Sequence, residues 1–188
     1  MEGTHTQLRK FEEYAYVLDF KPRGHSTTVR GRVGVIVTAI GEDRLTLLEI
    51  LGLENSTFDV GERIYIGKEG RTKVQSVLGK IDYIKISDSA QSEISGVVES
   101  IIMKNEKRFV DYLNNAQPLT PRIHALELIP GIGKTYMHII IQEREKKPFE
   151  SFSNIEKRTG LKEPMKHILK RILEEILGKT RMNLFVKR

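Results

Sequence analysis

Ile129-Pro-Gly-Ile-Gly-Lys134 is the stretch whose reading decides the second half of this chain. Its proline and two glycines stop a helix arriving from the N-terminal side, and the glycines let the backbone turn sharply and approach a ligand. Ile132 between them can fold inward and pin the turn. Upstream, Thr120-Pro121 reads as a helix start, because threonine caps and proline at the first helical position loses no useful N–H. The pattern predicts a short helix over 121–128, a hairpin, and a second helix over 134–145. The N–H groups of the hairpin and of that helix start would converge on one point, an anion site to which Lys134 adds a full charge. A Pro-Gly-X-Gly turn also joins helices in proteins that bind nothing, so the surrounding charge has to argue for the ligand.

A weaker copy follows. Shifted by 29 residues, Leu126, Gly131, Ile132, Ile139 and Ile140 fall on Ile155, Gly160, Leu161, Ile168 and Leu169. Ser153-Asn-Ile-Glu156 has the form of a capping box opening a third helix, and Pro164 opens a fourth that continues through Leu173 and Leu177. Lys162 replaces the second glycine and Glu163 stands where the first copy has Lys134. The second unit therefore reads as mainly structural, with Lys157, Arg158, Lys162 and Lys166 as peripheral contacts.

Gly131-Ile132-Gly133, with Leu126, Ile129 and Pro130 around it, resembles the helix-hairpin-helix superfamily. That resemblance implies a tandem, SAM-like all-α domain whose hairpin amides grip a nucleic-acid phosphate without reading bases. Nucleic-acid contacts are then expected at Gly131, Ile132, Gly133 and Lys134. Where that superfamily often has a small residue at the helix crossing, this chain has Met137. A β domain followed by such a tandem also resembles an archaeal family of uncharacterised proteins with an N-terminal OB-like domain, to which RNA binding is ascribed.

The first 90 residues read as β structure. Tyr14-Ala-Tyr-Val-Leu-Asp-Phe20 alternates, Val33-Gly-Val-Ile-Val-Thr-Ala-Ile40 is β-branched, and Gly41-Glu-Asp turns it into Arg44-Leu-Thr-Leu-Leu-Glu-Ile-Leu51. Arg63-Ile-Tyr-Ile-Gly67 and Gly79-Lys-Ile-Asp-Tyr-Ile-Lys-Ile86 complete about five short strands, which suggests a small OB-like β-barrel. Its first long loop would carry Lys21, Arg23, Arg30 and Arg32, where binding and a merely solvated loop both stand. Tyr14, Tyr16, Phe20, Tyr65 and Tyr83 could stack bases, but alternating aromatics more often fill a core. The expected organisation is α+β and multidomain: a barrel over 1–90, a helical connector over 91–117, where Ile94, Val97, Val98, Ile101 and Ile102 share a helix face, and a nucleic-acid-binding domain over 118–188.

Charge supports this division. Of 31 Lys+Arg and 25 Asp+Glu, residues 121–188 hold 15 and 8, so the formal excess of +6 is carried by the last third. Such a field attracts polyanions. With no cysteine, disulfides and thiolate metal sites are excluded. No apolar run is long enough to span a bilayer, and no secretory signal is visible, so a cytoplasmic protein is expected. His5, His25, His124, His138 and His167 lack metal-ligand spacing. Gly67-Lys-Glu-Gly-Arg-Thr72 lacks a P-loop ending. The expectation is therefore a non-enzymatic nucleic-acid-binding protein with no cofactor or metal, taking RNA before DNA, with a further protein or ribonucleoprotein partner left open. A DNA repair or recombination factor and a protein-docking helical module are the alternatives.

Overall fold

The long, β-branched strand after residue 31 organises the first half. In a computed structural model describing residues 11–21 and 27–187, the strands are β1 (Tyr14–Phe20), β2 (Thr27–Val29), β3 (Arg32–Gly41), β4 (Leu47–Gly52), β5 (Arg63–Tyr65) and β6 (Val74–Lys80). They form an antiparallel sheet in the order β5-β1-β3-β4-β6, with β2 folded onto β3. The register of β3 with β4 runs from Val35 opposite Gly52 to Ile40 opposite Leu47. Alternation along these strands sends Ala15, Val17, Val37, Ala39, Ile50 and Ile64 into one core. Register shifts in the β1–β3 and β4–β6 ladders curl the sheet. Arg30-Gly31 joins β2 to β3 with both φ positive, 52° and 76°, a turn whose twist matches a hairpin.

The expected OB-like barrel is corrected to an open, curled half-barrel, because the end strands β5 and β6 do not pair. β5 has only three residues, too few to carry a second ladder. Arg71 partly bridges the gap: its guanidinium donates to the carbonyls of Gly67 at 2.5 Å, Gln75 at 2.9 Å and Ile66 at 3.0 Å. The strand expected at 79–86 is displaced to Val74–Lys80, and Tyr83–Lys85 forms a 3-10 turn. Its Ile84 is 83% exposed, so the apolar alternation there buries no face.

The helices follow the sheet: α1 (Asp88–Lys104) and α2 (Glu106–Asn115), then the hairpin β7 (Pro118–Thr120) and β8 (Ile123–His124), then α3 (Lys134–Lys146), α4 (Phe152–Thr159) and α5 (Pro164–Ile176). The chain forms two compact units, one up to Glu93 with Lys187, the other Ile94–Val186. Ile101, Ile102, Phe109, Leu126, Ile140 and Ile172 are buried in the second.

That unit is not the all-α tandem helix-hairpin-helix domain expected from the sequence. Where a helix was expected over 121–128, the chain makes β7, β8 and a 3-10 turn, Ala125–Leu128. Thr120 does cap, but its hydroxyl accepts from the amides of Arg122 and Ile123 and so closes the β-hairpin. His124 then caps the 3-10 turn: its Nδ1 accepts from the Leu126 amide at 3.1 Å, while Glu127 accepts from the His124 amide at 2.7 Å. These two caps direct the segment away from an α-helix.

Candidate anion-binding turn and its surroundings

The two glycines of the first turn are there for different reasons. Gly131 has φ +86°, and a Cβ built on it would overlap the His167 ring. Ile132 is 1% exposed, and its amide donates to the Ile129 carbonyl at 2.9 Å. Gly133 has φ −75° and ψ −177°, open to any residue, and a Cβ there would meet nothing within 4 Å. Gly133 is the N-cap of α3, which has no acidic residue in its first turn. Among the described residues no side chain accepts from the first amides of this helix, and a helix start leaves those donors free. Lys134 is exposed and forms no ion pair among the described residues.

The second turn shares the positive φ at Gly160, +77°, but is one residue longer and differently served. Its extra residue, Glu163, takes φ +48° as the N-cap of α5. Glu156 accepts from the Glu163 amide at 3.1 Å and pairs with Lys162 at 3.2 Å. Those two partners, the amide foremost, hold the Glu156 carboxyl below the usual carboxylate range. Lys166 pairs with Glu163 at 2.5 Å, and that hydrogen bond pushes the Lys166 ammonium above its ordinary value. The second turn is thus met by a carboxylate from its own chain, the first by none among the described residues.

His167 holds the turns side by side. Its Nδ1 lies 2.9 Å from the Pro130 carbonyl and its Nε2 3.0 Å from that of Lys162. Both partners are acceptors, so each contact requires an N–H; a neutral ring supplies one, the protonated ring both. Through His167 the structure brings the backbone of the first turn, at Pro130, beside that of the second, at Lys162. Lys157 is exposed on α4, without an ion pair among the described residues. Arg158 is engaged internally: its guanidinium donates to the carbonyls of Glu143 and Lys147 and lies 4.5 Å over the Phe149 ring.

In the β unit, Lys21, Arg30 and Arg32 are exposed, and Arg23 lies outside the described residues. Arg30 sits on the β2–β3 hairpin turn, so that part of the expected loop is built structure. Tyr16 is core, 1% exposed, where burial, reinforced by Glu42, pushes its hydroxyl up. Tyr14 and Tyr65 meet edge-on at 5.3 Å, and Phe20 lies 6.3 Å from Phe58.

Sequence reasoning missed the buried pair Arg171–Glu175. Glu175 is fully buried and accepts from Arg171 Nε and from the amides of Leu184, Phe185 and Val186. Arg171 also donates to the carbonyls of Leu128 and Met182. The four-residue spacing on α5 was visible; the tail strapped to it was not. Burial, with Glu175 adding to it, pushes the nearby Tyr112 hydroxyl up to about 12. Among the described residues, no group of three or more metal-capable side chains forms, and no helix is long and apolar enough to cross a membrane.

These features define an α+β protein in which a curled antiparallel half-barrel precedes the helices and a histidine ties two glycine turns together. The chain belongs to the family described as a protein of unknown function, DUF655, whose pattern covers residues 11–187. It is 42% identical over 181 residues to the uncharacterized protein MJ0038 of Methanocaldococcus jannaschii, covering 95% of this chain and 82% of that protein. The crystal structure of Af1531 from Archaeoglobus fulgidus, of the same family, has 40% identity and a TM-score of 0.80, covering 94% of this chain and all of that one. An uncharacterised archaeal family was expected from the sequence; neither relative's name states a ligand.

Proposed function

We propose that this protein binds nucleic acid without catalysis, RNA before DNA, by presenting the amides of the 131–134 turn and the Lys134 ammonium to a backbone phosphate. The observation that carries this reading is Gly133. Neither its backbone angles nor its neighbours require glycine, though glycine is a favoured N-cap, and it opens a 13-residue helix whose first amides meet no side-chain acceptor among the described residues. A glycine there keeps the approach clear for an external anion. The charge of the last third and the exposed Lys134 and Lys157 agree with it. Lys162 and Lys166 are paired with the half-exposed Glu156 and the exposed Glu163, and pairs open to solvent contribute little.

The test is fluorescence anisotropy with single-stranded and duplex RNA and DNA at two salt concentrations. Wild type is compared with Gly133→Val and Lys134→Glu, each checked for an unchanged unfolding midpoint. With two to four phosphates neutralised, the log–log salt slope on duplex DNA is about −1.8 to −3.6. Both variants are expected to lose most of the affinity. Unchanged affinity in folded variants refutes the turn as the site. The docking alternative has one observation of its own, Leu119 and Ile123 standing 44% and 40% exposed on β7 and β8; it moves ahead if none of the four ligands binds.

A further inference from the structure

Where β5 and β6 fail to pair, the half-barrel opens into a cavity of about 600 Å³, inside the ~300–1,000 Å³ that small organic ligands occupy. Its apolar floor is Leu48 and Ile66, both buried, with Val77 beside them. Tyr65 and Phe11 stand at its sides. The Tyr65 ring is fixed by its edge-on contact with Tyr14 and by lying over Gly67, where any Cβ would overlap it. Phe11 is 65% exposed, with the Lys68 ammonium 5.4 Å from its ring centroid. Two aromatic side chains beside Leu48, Ile66 and Val77 in one lining suit a planar, apolar-faced group.

The charged lining sets four cations, Arg44, Lys68, Arg71 and Lys80, against three carboxylates, Glu12, Glu13 and Glu69. The half-buried Arg44 guanidinium and the exposed Lys80 ammonium engage no partner among the described residues, and both line the cavity. Lys80 is the cross-strand partner of Leu48, so its side chain leaves the sheet on the face of the cavity floor. Arg71 spends its donors on three carbonyls and has no carboxylate partner among the described residues. Of the acidic lining residues Glu12, Glu13 and Glu69, Glu12 is occupied by the amides of Asp43 at 2.9 Å and Arg44 at 2.5 Å. Glu12 lies over Gly41, where a Cβ would overlap it, and so holds the turn that presents Arg44. Leu45, fully buried between two lining residues, Arg44 and Thr46, takes φ +54°. Side chains rarely adopt that conformation, and such strain gathers at ligand sites.

We propose that this cavity binds one nucleotide unit, its base against Tyr65 and Phe11 over the apolar floor and its phosphate at Arg44 and Lys80. A free phosphate would leave the aromatic and aliphatic surfaces unused, and a purely apolar ligand would strand the unpaired cations. The nucleotide can come free or as part of a strand. All lining residues lie in the first unit, so none of them belongs to the 131–134 turn.

The experiment is calorimetric titration of the full chain carrying Lys134→Glu, which removes the turn's cation. The ligands are AMP, GMP, CMP and UMP, inorganic phosphate, and an RNA hexanucleotide. The expected result is binding of at least one mononucleotide, weakened about tenfold or more by Arg44→Gln with Lys80→Gln and less by Phe11→Ala, with phosphate far weaker. The two cations carry no internal side-chain hydrogen bond or ion pair among the described residues, so the fold survives their removal, which an unfolding midpoint checks. A hexanucleotide binding more tightly than any mononucleotide marks a strand as the source; equal affinity marks the free nucleotide. The proposal is overturned if neither mononucleotides nor hexanucleotide bind at millimolar concentration. It is equally overturned if binding ignores the Arg44 and Lys80 substitutions, or if phosphate binds as well as the nucleotides.

Discussion

Replacing Glu175 with alanine is expected to destabilise the second unit more than any surface change. The carboxylate is fully buried and receives four donors: Arg171 Nε at 2.9 Å and the amides of Leu184, Phe185 and Val186 at 2.6, 3.0 and 2.8 Å. Its removal leaves the Arg171 guanidinium, 7% exposed, without a counter-charge, and breaking a buried pair from one side costs about 3–5 kcal/mol. Three amides lose their acceptor as well, at ~1–3 kcal/mol each for those that stay dry. The tail limits that sum, because residues 184–186 can peel away and rehydrate at the expense of their packing. The net loss should therefore fall near 3–5 kcal/mol, a large part of the ~5–15 kcal/mol that stabilises a typical domain. Urea unfolding followed by circular dichroism measures it, and hydrogen exchange at the Leu184, Phe185 and Val186 amides shows whether the tail has come loose. A double change, Arg171→Met with Glu175→Leu, is expected to recover more than half of the loss, since an apolar pair needs no counter-charge. A loss under about 1 kcal/mol, or a double variant no better than Glu175→Ala, would refute the reasoning.

Two further outcomes are expected. The His124 ring is held below its ordinary value of 6.5, first by burial and then by Arg144, so its neutral form belongs to the folded state. The stability it contributes is complete above pH 6.5 and is lost as pH falls through the lower folded value, when protonation removes the Nδ1 acceptor. His124→Asn, which keeps an acceptor and cannot titrate, should unfold at the same urea midpoint near pH 8 but flatten the decline below pH 6.5. Identical pH profiles would contradict this. At the first turn, Gly131→Ala should destabilise by about 1–2 kcal/mol from its positive φ alone, and more from overlap with His167. Gly133→Ala, at a helix N-cap where glycine is favoured over alanine, should cost less, about 0.5–1 kcal/mol. Thermal melts that rank the two the other way round would show that the turn has been misread.

What was legible in the sequence follows from the range of the forces involved. α3 starts at Lys134 and α5 at Pro164, as glycine and proline mark locally, and β1, β3 and β4 follow their alternation. The segment 121–128 misled because Thr-Pro opens a helix and closes a β-hairpin with the same chemistry. The choice was made by the reciprocal bonds of His124 and Glu127, which resemble an ordinary capping signature only after the turn is known. Ser151 caps α4 in place of the better-looking Ser153. Barrel closure was illegible because it depends on whether the three-residue β5 pairs with β6 across the sheet's ends, which alternation within either strand does not decide. Arg158 read as a surface cation because its carbonyl partners, Glu143 and Lys147, come from the preceding helix end.

The same distinction decides how the candidate site should be judged. A Gly-Ile-Gly turn invites one explanation for both glycines, yet Gly131 is accounted for within the chain. Its φ and its contact with His167 would require glycine whether or not anything binds. That residue 131 is glycine is therefore no evidence for a ligand, and a variant that changes both glycines would confuse a broken turn with a lost ligand. Gly133 has no steric reason to be glycine beyond its place as the N-cap of α3, and Lys134 has no internal partner among the described residues. In the second turn the corresponding positions are filled by Lys162 and Glu163, and Glu156 supplies the carboxylate that meets an exposed amide. One turn is satisfied by its own chain, while the other presents donors and a cation outward. A phosphate site belongs at the second kind of turn, and Gly133→Val with Lys134→Glu, leaving Gly131 intact, is where that inference stands or falls.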